Sequence, residues 1–207
     1  SPASNSRNRR ITGIETVGDR PVDMEQIYAP WRIDWVERDE DPVDGCPFCV
    51  LPERADAREA LVVARSDHNF VLLNNSPYNP GHVMVIPDAH VDDWAALDDE
   101  TMLDHGRLKA ATLAAARRGI GPEGFNTGLN LGGAAAGGSI NHLHTHVVPR
   151  WEGDTNFMPV VGDTKVIVEA VDRTYEHLHE AFAAGEHVVD AGDAESGDAV
   201  RLSFDID

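Results

Sequence analysis

The sequence predicts an α+β fold: an antiparallel sheet of about five strands with two main helices. Three observations point to it. Short apolar runs cluster in succession around turn residues. Two long segments carry helical start and stop signals. Histidines alternate with apolar residues in Asn141-His142-Leu143-His144-Thr145-His146-Val147-Val148. Strands joined by tight turns pair antiparallel, whereas a parallel sheet needs a crossover between every pair.

The elements follow in order. Residues 1–22 are polar, Arg-containing and aperiodic, and read as a flexible arm. The main domain is expected over residues 23–185. Its aromatic start, Tyr28-Ala29-Pro30-Trp31-Arg32-Ile33-Asp34-Trp35-Val36, is suited to docking on the body of the protein or on a second subunit, or to a satellite core cluster. Residues 60–64 and 70–74 read as strands about the turn Ser66-Asp67-His68-Asn69. Ser76-Pro77-Tyr78-Asn79-Pro80-Gly81 turns the chain into a strand over 82–87. Asp98-Asp99-Glu100-Thr101 opens a helix to about Arg118, with acids in the first turn, arginines in the last and Gly119 beyond. A strand over 125–131, a small-residue loop, the histidine strand and a second helix over about 164–184 complete the domain. Residues 186–207, acidic and Gly/Ala-rich, are expected to form a disordered tail.

Composition limits the partners. The 207 residues suffice for one domain with a sizeable core. No apolar run reaches the ~18–20 residues of a membrane span, and no hydrophobic signal core opens the chain, so a cytoplasmic protein is expected. Net charge is −19, and Lys109 and Lys165 are the only lysines. Such a surface repels nucleic acid and anionic membranes but not a small phosphate ligand held in a site. Dense acidity without lysine suits an intracellular protein of a halophile, where a short Debye length screens self-repulsion.

Residues two apart in a strand share a face, so His142, His144 and His146 are expected on one side, with Leu143, Thr145 and Val147 on the other. Three imidazoles together suit group transfer or metal binding; a merely His-rich surface strand is the plain alternative. Cys46-Pro47-Phe48-Cys49 holds the only cysteines, too few for a disulfide framework. A redox pair belongs where a strand enters a helix, yet this one lies between Asp41-Pro42-Val43-Asp44-Gly45 and Leu51-Pro52, and loop placement favours metal. Gly132-Gly133-Ala134-Ala135-Ala136-Gly137-Gly138-Ser139 has no side chain beyond methyl before Ser139. Its backbone N–H groups can therefore cradle phosphate; a flexible hairpin is the alternative.

The histidines, the preceding loop and Val147-Val148-Pro149-Arg150 together resemble the histidine triad superfamily over about residues 24–185. Asn74-Asn75-Ser76-Pro77-Tyr78-Asn79-Pro80-Gly81-His82 and Pro149-Arg150-Trp151 are similar to flanking segments of its diadenosine tetraphosphate phosphorylase and hydrolase branch. The resemblance implies a HIT-like sheet fold that dimerises and nucleotidyl transfer through a histidine. By motif position His144 is the nucleophile, and His146 faces the same α-phosphate. A neutral imidazole keeps its attacking lone pair if its other nitrogen donates, most simply to a backbone carbonyl. Asn74 is assigned to a ribose hydroxyl, His82 to the nucleoside pocket and Trp151 to the leaving nucleotide.

The resemblance also bears on the acceptor and on metal. Hydrolases of this type carry Gln where Gly138 stands. Gly137, Gly138 and Ser139 look more like the phosphorylases, with Asn130 and Ser139 receiving inorganic phosphate. Cys46, Cys49, His90 and His142 make a tetrahedral structural zinc set, in a pattern similar to zinc-bearing superfamily members such as the galactose-1-phosphate uridylyltransferases. His68, His105, His177, His179 and His187 are expected at the surface. The function implied is phosphorolysis of a dinucleoside polyphosphate, diadenosine tetraphosphate, to ATP and ADP. Alternatives are hydrolysis of diadenosine polyphosphates or adenosine phosphoramidates, and non-enzymatic nucleotide sensing by a zinc-containing protein. Uridylyl transfer to a sugar phosphate is disfavoured, because Leu143 stands where that class carries Pro between its histidines.

Overall fold

The computed structural model describes residues 45–132, 140–154 and 171–204. The arm over 1–22, the aromatic segment over 28–36, Gly137 to Ser139 and the expected helix start over 164–170 lie outside these. A single helical turn, α1 (Pro47–Val50), runs into a 3₁₀ turn at Leu51–Glu53. There follow β1 (Val62–Arg65), β2 (Asn69–Leu73) and β3 (Val83–Pro87). Next come α2 (Asp99–Gly119), β4 (Gly124–Leu129) and β5 (Thr145–Arg150). The chain ends with α3 (Val171–Ala183), β6 (Val188–Asp190) and β7 (Val200–Leu202). No helix among the described residues is long and apolar enough to cross a membrane.

The α+β class holds, and the sheet is larger than expected. Seven strands among the described residues run in the order β4-β5-β3-β2-β1-β7-β6. All neighbours are antiparallel except β1 and β7, which pair in parallel through Ala64↔Val200 and Arg65↔Arg201. The expected disordered tail is thus corrected: residues 188–202 supply two strands, and Val200, Leu202 and Phe204 are buried. Val200, Leu202 and Phe204 alternate with polar residues, a strand signal outweighed in sequence by the acidic, Gly/Ala-rich composition around it, and their burial depends on a distant strand.

The histidine strand also needs correction. The ladder of β5 starts at Thr145, which pairs with Val85 of β3 and Leu129 of β4. His142 sits in a bend, and His144 lies on the extended lead-in; only His146 stands within the ladder.

Strand alternation divides the core. Val63, Val71, Leu73, Val83, Val85 and Val147 pack beneath α2 and α3 with Leu108, Tyr175 and Phe182. The intervening residues Val62, Phe70, Leu72, Met84 and Ile86 pack on the other face with Phe48. Burying each large side chain contributes about 1.5–3 kcal/mol. Gly119, at the end of α2, lets the two helices close: a Cβ there would stand 2.6 Å from His177 O on α3. Gly81 has φ +75°, and a Cβ there would stand 2.2 Å from Ile120 Cδ1, so glycine sets the turn that delivers His82.

Two histidines expected at the surface are buried instead. His179 Nε2 lies 2.8 Å from Asp198 O. His105, on the sheet-facing side of α2, is fully buried between Asn69 and Thr145. Burial, with Lys109 one turn along, pushes the His105 imidazole down to about 4, against the pull of Asp104. Its folded pKa lies below the unfolded value, so the unfolded chain binds the extra proton. Stability is then complete above about pH 6.5 and lost as pH falls toward about 4, by roughly 3 kcal/mol. Urea unfolding from pH 7 to pH 4 measures this. His105→Gln is expected to flatten that part of the profile, and an unchanged slope would sink the assignment.

Candidate functional site

The four residues expected to hold zinc converge. One ligand atom from each of Cys46, Cys49, His90 and His142 lies within 4.8 Å of the others. Cys46 Sγ is 3.4 Å and Cys49 Sγ 3.6 Å from His142 Nδ1, and Cys49 Sγ is 3.2 Å from His90 Nδ1. Tetrahedral zinc with ordinary Zn–S and Zn–N bonds places S and N about 3.6 Å apart. These three S–N separations are close to the ones a tetrahedral divalent cation sets. His142 Nε2 lies 2.9 Å from Pro87 O, so that nitrogen carries the proton and Nδ1 presents its lone pair to the sulfurs. Burial, and then Cys46 itself, push the Cys49 thiol up, so two thiolates side by side need a cation to be stable.

This four-residue cluster touches His144 through Phe48, which lies between its two cysteines. The ring is buried and meets His142 and His144 edge-on, with centroids 5.8 and 5.2 Å away. His144 Nδ1 is 2.8 Å from His142 O. A carbonyl only accepts, so Nδ1 donates, as expected for an attacking imidazole, and Nε2 keeps its lone pair.

A second chain of hydrogen bonds orients His146. The Tyr78 backbone N–H donates to His82 Nδ1 at 3.1 Å, which puts the His82 proton on Nε2. That nitrogen is 3.0 Å from His146 Nδ1, which must accept, leaving His146 with Nε2–H as a donor. His82 is buried, and Tyr78 stacks on it at 4.7 Å. The His144 and His146 rings are 4.9 Å apart and nearly perpendicular. Backbone and ring partners thus arrange one bare nitrogen and one N–H donor side by side, the pairing that attack on a phosphorus and support of its oxygens require.

A groove of about 510 Å³ adjoins His146. Asn130, exposed, lines it, together with Tyr78, Asn79, Asn126 and Arg150. Arg150 grips Asp154 through two bonds of 2.6 and 2.7 Å and reaches Asn126 Oδ1 at 2.7 Å. The guanidinium holds the Asp154 carboxyl down to about 2, so it stays ionised as the clasp for Arg150 and Asn79. Asn74 lies on the histidine face: its amide is 3.8 Å from Met84 Sδ, and Met84 stands opposite His146 in the ladder. Its Oδ1 accepts from Ser76 N–H at 2.8 Å, closing a turn. Trp151 stands outside the groove lining, its indole donating to Gly121 O at 3.2 Å. Gly137, Gly138 and Ser139 are among the residues not described. Phe48, Tyr78, Asn79 and Asn126 were not anticipated; for Phe48 the available signal was an aromatic residue enclosed by two cysteines.

Comparison with known proteins shows the family. A family model described as the HIT domain matches residues 56–153. A protein of Mycobacterium tuberculosis named AP-4-A phosphorylase is 38% identical over 191 residues, covering 86% of this chain and 96% of the relative. The chain belongs to the HIT family. It is an enzyme of nucleotide chemistry. Among solved HIT structures, a Zn-bound histidine triad family protein from Mycobacterium smegmatis matches with TM-score 0.54 and 26% identity, over 67% of this chain and 94% of that one. A hypothetical histidine triad nucleotide-binding protein from Sulfolobus tokodaii matches with TM-score 0.51 and 25% identity, over 66% and 89%.

Proposed function

We propose that this HIT protein is a phosphorylase of diadenosine tetraphosphate that works through a nucleotidyl-histidine. One observation carries the reading: His144 Nε2 is left bare by the Nδ1 bond to His142 O, beside the ring of His146. The name of the 38% identical relative supports the substrate class. In the first step His144 Nε2 attacks the α-phosphorus. An N–P bond forms, the bond from that phosphorus to the bridging oxygen breaks, and ATP leaves. In the second, an oxygen of inorganic phosphate attacks the same phosphorus, the N–P bond breaks, and ADP leaves with His144 restored. His146 Nε2–H bonds the non-bridging oxygens as charge develops. Splitting one hard displacement into two easier ones is what the histidine supplies.

Asn74 and His82 are assigned to the nucleoside side and Trp151 to the leaving nucleotide. Asn130, Gly137, Gly138 and Ser139 are assigned to the phosphates, with Gly138 leaving room for a phosphate acceptor. Cys46, Cys49, His90 and His142 hold a structural zinc, whose part is to fasten the α1 turn beside His144. Incubating enzyme and dinucleotide with and without phosphate tests the acceptor. ATP and ADP are expected in equal amounts only when phosphate is present; ATP and AMP formed at a rate indifferent to phosphate would replace phosphorolysis by hydrolysis.

A further inference from the structure

We propose that Thr145 and the buried imidazole of His105 are a positioning pair that sets the angle at which His144 and His146 meet the phosphorus. The proposal rests on the nucleotidyl-transfer reading above and assigns a role to a buried histidine which that reading does not use.

Thr145 lies between the two histidines in sequence, but its side chain points the other way, toward α2. Its Oγ1 is 2.8 Å from His105 Nε2. His105 Nδ1 is 2.8 Å from Asn69 Oδ1, and Asn69 Nδ2 is 2.6 Å from Asp104 Oδ2 and 3.3 Å from Thr101 O. Asp104 Oδ2 also receives the Ser66 hydroxyl at 2.6 Å and the His68 N–H at 3.2 Å. Asn69 and His105 are fully buried, and the Trp94 ring closes the outer side of His105 edge-on at 5.1 Å.

The direction of every bond is determined. The carboxylate accepts from the Asn69 amide, so Asn69 Oδ1 faces His105 and accepts from Nδ1–H. His105 Nε2 is then bare and accepts from the Thr145 hydroxyl. The chain runs one way, from β5 through α2 and β2 to a carboxylate anchored by three donors.

Packing alone does not call for this arrangement. Val would fill the Thr145 position with the same shape and the same strand preference. A buried hydroxyl against a buried imidazole is costly unless each satisfies the other, and its yield is directional. Direction matters at this residue because the ladder of β5 begins here. His144 is one step beyond the last strand-to-strand pairing. The backbone that carries His144 is thus held on both sides, by Leu143, whose N–H donates to Val91 O at 2.6 Å, and by Thr145, and only Thr145 is also the residue from which His146 follows.

The test is steady-state phosphorolysis by Thr145→Val, Thr145→Ser, His105→Asn and His105→Gln beside wild type. Gln places a polar atom where His105 Nε2 faces Thr145, whereas Asn reproduces only the Nδ1 side. Thr145→Val and His105→Asn are expected to lower kcat about 10- to 100-fold with KM within about twofold. Thr145→Ser and His105→Gln are expected to recover most of that loss at similar Tm. A Thr145→Val enzyme with wild-type kcat, or Gln and Asn variants that fail equally, would overturn the pair. A second measurement needs no substrate: ¹⁵N NMR of the His105 ring is expected to show Nδ1 protonated and Nε2 bare, and the opposite tautomer refutes the proposal. Wild type that binds nucleotide without turnover removes the nucleotidyl-transfer reading, and the catalytic role of the pair with it. An active wild type with an unaffected Thr145→Val removes the pair alone.

Discussion

Replacing His144 by Ala is expected to lower turnover of diadenosine tetraphosphate by about four to six orders of magnitude while nucleotide affinity stays within about tenfold. The effect is large because the substitution removes a whole route rather than one stabilising contact. Water would have to displace a poor electrophile directly, in a site whose groups are aimed at an imidazole adduct. The His144 ring also has few structural duties: one bond to His142 O and edge contacts with Phe48 and His146. Loss of activity should therefore come without loss of fold. ATP release followed by a coupled assay, with nucleotide binding by calorimetry and Tm measured in parallel, decides it. Residual turnover within about tenfold of wild type means that another group is the nucleophile.

Removing the metal should have the largest effect on stability. A cation bound about 1,000-fold above its Kd stabilises the folded state by about 4 kcal/mol, which for a chain of this size is a Tm change on the order of 10 °C. Chelation of wild type, or Cys49→Ser, is expected to produce that fall, with one zinc per chain found in wild type and none in the variant. The pH sign follows from the thiols: the Cys49 proton, held on by burial and by Cys46, must leave for the metal to bind. Zinc affinity should therefore fall as pH falls. Since Phe48 rests on both His142 and His144, kcat should drop with the metal as well. A chelated protein with unchanged Tm and kcat would show that the cluster is an idle thiol pair.

Much of this arrangement was legible in the sequence wherever the signal is local. The paired apolar runs became β1, β2 and β3, and the acids and arginines flanking residues 99–119 marked α2. The four metal-ligand candidates were readable because two cysteines and two histidines match the ligand pattern of zinc-bearing superfamily members, although the cysteine pair lies at the α1 turn rather than in the loop expected. What failed was non-local. Alternating histidines report an extended backbone but not whether a neighbouring strand reaches that far; β3 and β4 meet β5 only from Thr145 onward. On α2 the buried residues Thr101, Asp104, His105 and Thr112 form a polar stripe, which in sequence is indistinguishable from a wet face. It is dry because β2 and β5 bring matching polar groups to it. The strand over 200–202 was missed for a different reason: Val200, Leu202 and Phe204 alternate with polar residues, but the acidic, Gly/Ala-rich composition of the segment read as disorder, and the partner strand β1 lies far away in sequence.

That last pairing bears on how the molecule is made. Ala64 finds its partner at Val200, so the sheet cannot close at β1 until residue 200 has left the ribosome. Until then β1 presents an open edge, and open edges are templates for the wrong partner. The acidity of residues 186–207 takes on a further meaning in that interval. A highly charged segment stays dispersed while it waits, and the few apolar residues it carries seal the sheet when they arrive.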